Sequence, residues 1–426
     1  MMPEIKTNIV CSGCSLLCDD IAIEFEKGKI KKTHNVCARG YGRFYQLDFK
    51  YRLLKPLIKR EGKFQEIPYE EALQTASHML KEAKNPFFYG WSSATAEAQE
   101  KGMLLAKKYK GVIECASNFT IGMAVQQFLQ KKIEVPNLSF IKDNADLLIF
   151  LGCNPTASHI RLLSKYALLA RGSNTARGLE DRRAITIDIR TTDLAKFSQH
   201  FLKVTPGADR MLLESLIQVL EGKSFTEEEV ANIPRKEIYD VANTLKDGRK
   251  GVLFFGNGYN KTAENMTTLF RFIEALNQKG VKIGAIPLDG GYNAVGFAMN
   301  LKKKYNLELN ADFRSPTPTQ NEVIFRKSLK AGEIDLLFIL GADPISNFPF
   351  ELSKKIAKIP IIAIDFQHTP TTQNSKLVIP TTIPGVESGG TAFRLDFEKT
   401  TLTPSVSPPE GILSDEQILN QLLHGS

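Results

Sequence analysis

Three cysteines within Cys11-Ser-Gly-Cys14-Ser-Leu-Leu-Cys18, and a fourth at Cys37, restrict what the start of this chain can become. Thiolates are soft anionic ligands, and four that converge suit Zn²⁺ or an iron–sulfur cluster. Structural zinc sites usually draw on two separated Cys-x-x-Cys pairs. A tight triplet closed by a distant single cysteine is the pattern of a [4Fe–4S] cradle, with zinc and an empty, vestigial site as alternatives. Two further cysteines, Cys115 and Cys153, stand apart. No charged-then-apolar leader opens the chain, so thiols in a reducing cytoplasm are expected rather than disulfides.

The remainder has the composition of a globular protein: 426 residues, 42% hydrophobic and 24% charged, with a thinly spread net charge of +8. At roughly 150 residues per domain this length predicts two to four domains. The longest basic run, Lys302-Lys303-Lys304, has no interleaved aromatics and reads as a solvated face, so no nucleic-acid partner is expected. No apolar stretch approaches the ~20 residues that span a bilayer, so no membrane is expected either.

Along the chain, Ile21 to Ile30 alternates apolar and polar residues about a Gly turn and predicts a hairpin that returns Cys37 toward the triplet. Residues 31–56 are basic and end at Pro56, closing a module at 1–56. A helix from Tyr69 to about Ala83, a buried strand Pro86–Gly90, a helix Ala94–Lys108 and a strand Gly111–Ile113 give the rhythm of a parallel sheet covered by helices. Continuous apolar strands follow at Asp146–Gly152 and Ala184–Asp188, then a helix Leu212–Leu220 and a polar stretch 222–235 expected as its solvent-side connection. The pattern returns with a strand Gly251–Phe255, Gly256-Asn-Gly258, a helix to about Leu276, and strands Asp335–Leu340 and Pro360–Asp365. The two halves rhyme: Gly152-Cys-Asn154-Pro155 with Asp188, and Gly341-Ala-Asp343-Pro344 with Asp365. Glycines that admit a close backbone, a Pro opening a helix and an acid ending a strand suggest two nucleotide-type lobes. Taken alone, Gly256-x-Gly258 is a weak signal.

Together with Leu377-Val-Ile-Pro380 and Glu387-Ser-Gly-Gly390-Thr391, these features resemble the molybdopterin oxidoreductases, which bind a bis-pterin guanine dinucleotide. The whole chain is most similar to the B subunits of formylmethanofuran dehydrogenases. Cys18-Asp19-Asp20, Tyr89-Gly-Trp91, Ala96-Glu-Ala-Gln99, Gly291-Tyr-Asn293, Gly296-Phe297 and His368-Thr-Pro-Thr-Thr372 carry that likeness. The resemblance implies an α/β fold with a small N-terminal iron–sulfur module and two dinucleotide-binding-type parallel-sheet lobes, lacking the C-terminal β-barrel. The expected division is 1–56, a lobe from 57–140 with 300–400, a Rossmann-like lobe at 141–299, and a tail at 401–426. It also implies [4Fe–4S] ligation by Cys11, Cys14, Cys18 and Cys37, and pterin-dinucleotide positions, retained or vestigial, at Gly152, Asn154, Asp188, Gly256, Gly258, Asp343, Gly390 and Thr391.

The departures from the family pattern matter as much. The dehydrogenases carry Cys-His-Gly-Pro, whose Cys is the protein thiolate on tungsten or molybdenum. An ungapped register from Val112-Ile113 to Ala145-Asp146 puts Thr120 at that position and Ile121 at the histidine. Cys115 falls five residues early and reads as a buried structural thiol. The family's Arg-Gly-His is here Asp289-Gly290-Gly291. A hydroxyl does not replace a soft thiolate, Ile carries no proton, and an anion stands where a cation is wanted. No catalytic residue is therefore expected in this chain, and a working tungsten- or molybdenum-bis-pterin is in question. The resemblance extends to the redox-inactive B subunit of the bacterial formyltransferase/hydrolase complex. That implies the remaining members of such a complex as partners: the amidohydrolase-like A and the C subunits, and a formyltransferase. An active dehydrogenase chain with an unusual metal ligand, and an iron–sulfur electron-transfer protein, are the competing readings.

Overall fold

A computed structural model of the chain describes residues 4–45, 50–259, 262–321 and 324–425; residues 46–49 of the basic 31–56 stretch therefore lie outside the described residues. The chain divides into two compact units, the first built from 1–119, 291–394 and 399–426, the second from 120–290 and 395–398. Residues 1–56, expected as a module of their own, fall wholly within the first unit.

The first unit holds an eight-stranded sheet in the order Asn310–Asp312, Val112–Cys115, Pro86–Gly90, Leu336–Leu340, Ile361–Asp365, Leu377–Pro380, Leu57–Arg60, Lys63–Glu66. Its five central strands are parallel and its edges antiparallel. Pro86–Gly90, Leu336–Leu340 and Ile361–Asp365 are buried at every position, which is why they read as unbroken apolar runs rather than alternating ones. The helix expected from Ala94 begins at Ala96, because the Thr95 side chain accepts from Ala98 N and caps it. The expected hairpin is present as Ile21–Glu26 and Lys29–His34, joined by Glu4–Ile9 into a three-stranded antiparallel sheet.

The second unit is a five-stranded, wholly parallel sheet in the order His200–Lys203, Arg183–Asp188, Leu147–Leu151, Lys250–Phe255, Lys282–Pro287. Helices Asp209–Leu220, Arg235–Lys246 and Ala263–Gln278 supply buried Leu216, Val241, Leu269 and Phe272 to its core. The polar stretch 222–235 is not merely a solvent-side connection. It folds into a minimal hairpin, Glu229–Val230 with Ile233–Pro234, that buries Val230 and Ile233 in the same core. Its turn places Ala231 and Asn232 at positive φ, the geometry that suits a two-residue hairpin. Two apolar residues beside a run of glutamates were too short a signal to read.

Candidate functional site

In each sheet the strand order reverses once, and ligands of such sheets sit at the carboxyl ends beside that reversal. In the second unit the reversal lies between Leu147–Leu151 and Lys250–Phe255, so Gly152, Asn154, Gly256 and Gly258 stand there together. Gly152 has φ +53, and a Cβ on it would meet Tyr259 N at 2.3 Å. Gly258 N donates to Gly152 O at 2.8 Å and Gly256 N to Leu151 O at 3.1 Å. The small size of these glycines thus lets two loops pass each other. In the first unit the reversal lies between Pro86–Gly90 and Leu336–Leu340, beside Gly341 and Asp343.

The rhyme between the halves holds at the level of individual bonds. Gly152 N donates to Ile187 O, and Gly341 N to Ile364 O, each to the residue before the strand-ending acid. Both glycines have positive φ, and Pro155 and Pro344 each open a short helix. Asp188 Oδ1 accepts from Arg190 N and Asp365 Oδ1 from Gln367 N, the same two-residue turn. Asp343 is committed locally: its Oδ1 accepts from Ser346 N and from Thr371 N and Oγ1. Gly390 lies against Thr95, and Thr391 N donates to Glu97 Oε2 at 2.8 Å. Asn293, buried, bonds Ala94 O and Phe393 N, while Gln99 bonds Trp91 O and Asn293 O. The Ala96–Gln99 and Gly291–Asn293 stretches therefore tie the strand-end loops together.

Two buried acids link the halves a second time. Thr205-Pro-Gly207-Ala-Asp209 and Ile383-Pro-Gly385-Val-Glu387 are a second internal repeat, each with Gly at positive φ and a buried acid two residues on. Asp209 Oδ1 and Glu387 Oε1 are both buried without a hydrogen-bond partner, as is Thr192 Oγ1. Burial raises the Asp209 carboxyl above its ordinary range, with Asp188 adding repulsion. Asp188, Asp209 and Thr192 in the second unit are acceptor-rich and so fit the donor edge of a base or a ribose. The Pro-Gly-x-acid repeat was the signal that would have found Asp209.

The residues expected at the dehydrogenase pattern's metal ligand and histidine form a separate group. Thr120 sits in a π-helical turn, Asn118–Gly122, a form often found at functional sites. Its hydroxyl donates to Asp289 Oδ1 at 2.6 Å. Asp289 is held in turn through its carbonyl, which takes the Nε2–H of fully buried His159 at 2.9 Å, while His159 Nδ1 lies 2.9 Å from Ser158 Oγ. Ile121 is buried. In the first unit, a Cβ at Gly291 would meet Ser92 Cβ at 2.5 Å and Ser117 Oγ at 3.0 Å. In the second unit the Thr120 hydroxyl, already engaged by a carboxylate, does not fit a protein-ligated metal; in the first unit Ser92 stands in the path of a side chain at 291.

Among the cysteines, Cys11, Cys14 and Cys18 are buried and Cys37 half-buried, with no disulfide among the described residues. Cys11 N donates to Cys18 O at 2.8 Å, closing the loop, and Gly13 N points to Cys11 Sγ at 3.4 Å. Cβ atoms at Gly13 or Gly40 would come within 3.2 and 3.0 Å of that sulfur. Burial pushes the Cys11 and Cys14 thiols up to about 12, with repulsion from the other cysteines added. No group of three or more His, Cys, Asp or Glu among the described residues lies close enough to hold a single metal ion. Cys115 is buried at the end of a strand.

The molybdopterin oxidoreductase family model matches residues 52–424. The chain is 34% identical to the B subunit of the tungsten-containing formylmethanofuran dehydrogenase 2 of Methanocaldococcus jannaschii, over 99% of its own length and 98% of the relative's. The chain belongs to the family of formylmethanofuran dehydrogenase B subunits, within the molybdopterin oxidoreductases. The corresponding protein of Methanococcus maripaludis is 32% identical over the same shares of the two chains. Among solved structures, a chain of the formyltransferase/hydrolase complex (FhcABCD) from Methylorubrum extorquens, in complex with methylofuran, superposes with TM-score 0.69. It is 16% identical, with 87% of this chain and 98% of that one covered. Acetylene hydratase from Pelobacter acetylenicus superposes with TM-score 0.71 at 13% identity, over 98% of this chain and 68% of that one. Both likenesses establish a shared fold. No described helix is long and apolar enough to cross a membrane.

Proposed function

We propose that this chain is a non-redox member of the B-subunit family, serving as the scaffold of a formyltransferase/hydrolase-type complex in tetrahydromethanopterin-linked formaldehyde oxidation to formate. The observation that carries this reading is the Thr120–Asp289 hydrogen bond, which ties up the two positions where the dehydrogenase pattern has its thiolate and its cation. A hard hydroxyl already donating to a carboxylate has neither the softness nor the freedom to bind low-valent tungsten or molybdenum. The formyl-transferring and hydrolysing groups then belong to partner chains in the cytoplasm: the amidohydrolase-like A and the C subunits, and a formyltransferase. Cys11, Cys14, Cys18 and Cys37 hold a [4Fe–4S] cluster. A tight triplet closed by a distant fourth cysteine is the ligand pattern of such a cluster rather than the two separated pairs usual for structural zinc. The nucleotide-type positions around Asp188 and Asp209 are what remains of the pterin-dinucleotide site.

A second reading, an active tungsten or molybdenum enzyme with an atypical ligand, is favoured by the full-length 34% identity to a chain of a tungsten-containing dehydrogenase. Metal analysis of the complex, purified without air from its own host, separates the two. Iron without tungsten or molybdenum supports the scaffold. Stoichiometric tungsten or molybdenum removes it.

A further inference from the structure

A chain that has given up its metal-facing residues still keeps four cysteines, and the structure gives that retention a mechanical reason. Ser12 lies inside the first Cys-x-x-Cys. Its hydroxyl is buried and donates to Pro384 O at 2.6 Å, across 372 residues of sequence. Arg43 seals the contact from its helix Ala38–Tyr45, donating through Nε to Ser12 Oγ at 3.1 Å and through Nη2 to Pro384 O at 3.4 Å. Gly385, at φ +78, leaves the room: a Cβ there would meet Ser12 Oγ at 3.0 Å.

Beyond Pro384 the chain of bonds continues. Glu387 N donates to Ile383 O, and Ile383 N returns a bond to Glu387 Oε2 at 2.8 Å, so the turn is closed on itself. The same Glu387 Oε2 receives Arg52 Nη2 at 2.6 Å, in an ion pair whose side chains are 4% and 0% exposed. Arg52 Nη1 donates to Phe366 O and Thr381 O, the first residues after two neighbouring parallel strands, Ile361–Asp365 and Leu377–Pro380. Val10 and Leu17, flanking the cysteines, pack with Tyr292, Ala392 and Leu402.

We propose that the Cys11–Cys18 loop is a latch: its metal-bound shape presents Ser12 to Pro384 and so holds the 383–388 turn and, through Glu387 and Arg52, the carboxyl edge of the eight-stranded sheet. The latch rests on the cluster reading above. The metal in this chain then works as a structural pin, and its loss loosens a loop far away in sequence.

Hydrogen–deuterium exchange tests this in three anaerobic samples of the complex: as isolated, after iron chelation, and as Ser12→Ala with its iron intact. Ser12 is not a ligand, so the variant keeps its iron. Exchange at the Gly385 and Glu387 amides rises at least tenfold in the second and third samples, while amides of Leu147–Leu151 in the other unit stay unchanged. Unchanged exchange at 383–388 in either the chelated or the Ser12→Ala sample overturns the latch. Zinc in the isolated protein sinks the cluster reading separately, and the same two comparisons, with zinc chelated instead of iron, still decide the latch; a metal-free protein overturns both. Arg43→Lys, which removes the paired donation but keeps the charge, is the second variant should Ser12→Ala fail to fold, with the same tenfold rise supporting the latch and no change overturning it.

Discussion

Thr120 gives its hydroxyl hydrogen to Asp289 across 169 residues of sequence. On the scaffold proposal, these two residues replace the dehydrogenase pattern's metal thiolate and cation and have become partners. The complex is accordingly expected to show no viologen-linked oxidation of formylmethanofuran, and Thr120→Cys alone restores none. Developing negative charge would still face Asp289, and like charges ~4 Å apart repel by about 4 kcal/mol at an effective dielectric near 20, roughly a thousandfold in rate. Viologen reduction under argon that tracks bound tungsten or molybdenum is the result that would reverse this reading.

Iron content is the second test. Purified without air, the chain should carry close to four iron, on the basis of four thiols around one cradle. Cys14→Ser should lower that number and raise the proteolytic sensitivity of the first unit. Zinc in its place would rule the cluster out.

Three buried acids in the first unit set a pH dependence. Burial raises Glu114 and Asp365 to about 7 and Asp415 to about 6. Their unfolded values lie near 4, so between roughly pH 4 and pH 7 the folded chain binds more protons than the unfolded one. Stability from these groups is therefore fully present below the window and falls as pH rises through it. For Glu114 alone the full change is on the order of 3 kcal/mol. The melting temperature should rise by several degrees from pH 8 to pH 6, and Glu114→Gln, which keeps an oxygen for Phe325 N, should flatten that slope. A melting temperature that falls over this interval would contradict the assignment.

Trp91, the chain's single tryptophan, is fully buried at φ +71. Gly102 lies beneath it, and a Cβ there would come within 2.2 Å of the indole. Gly102→Ala should cost about 1–3 kcal/mol or more by overpacking. The indole's fluorescence reports the event directly, as a red shift from a buried-type emission.

Association is the remaining test. The Methylorubrum chain that this one superposes on is part of a multi-subunit complex. Expression with a hydrolase-like partner should improve the yield of soluble protein over expression alone, read by size-exclusion chromatography. A monodisperse, long-lived monomer would count against an obligate scaffold.

What could be read in advance was what burial writes plainly into sequence. Leu147–Leu151 and Leu336–Leu340 are covered on both faces, so every position is apolar. The edge strands Lys63–Glu66 and His200–Lys203 are half solvated and carry no such run, and Lys282–Pro287 hides behind a Gly and a Pro. That Thr120 and Asp289 bond each other was not legible, since 169 residues separate them. Asp209 was not legible because a four-residue Pro-Gly-x-acid repeat is too short to stand out in 426 residues.

Those two copies supply a reference experiment inside one molecule. Asp209 and Glu387 follow the same Pro-Gly turn and each bury an unpaired oxygen, yet only Glu387 faces a guanidinium. Asp209→Asn removes an unwanted charge from its unit and should stabilise it or leave it unchanged. Glu387→Gln strands Arg52 and should cost on the order of 3–5 kcal/mol. The difference between the two neutralisations weighs a buried acid with an ion-pair partner against one without, with solvent, host and molecule held constant.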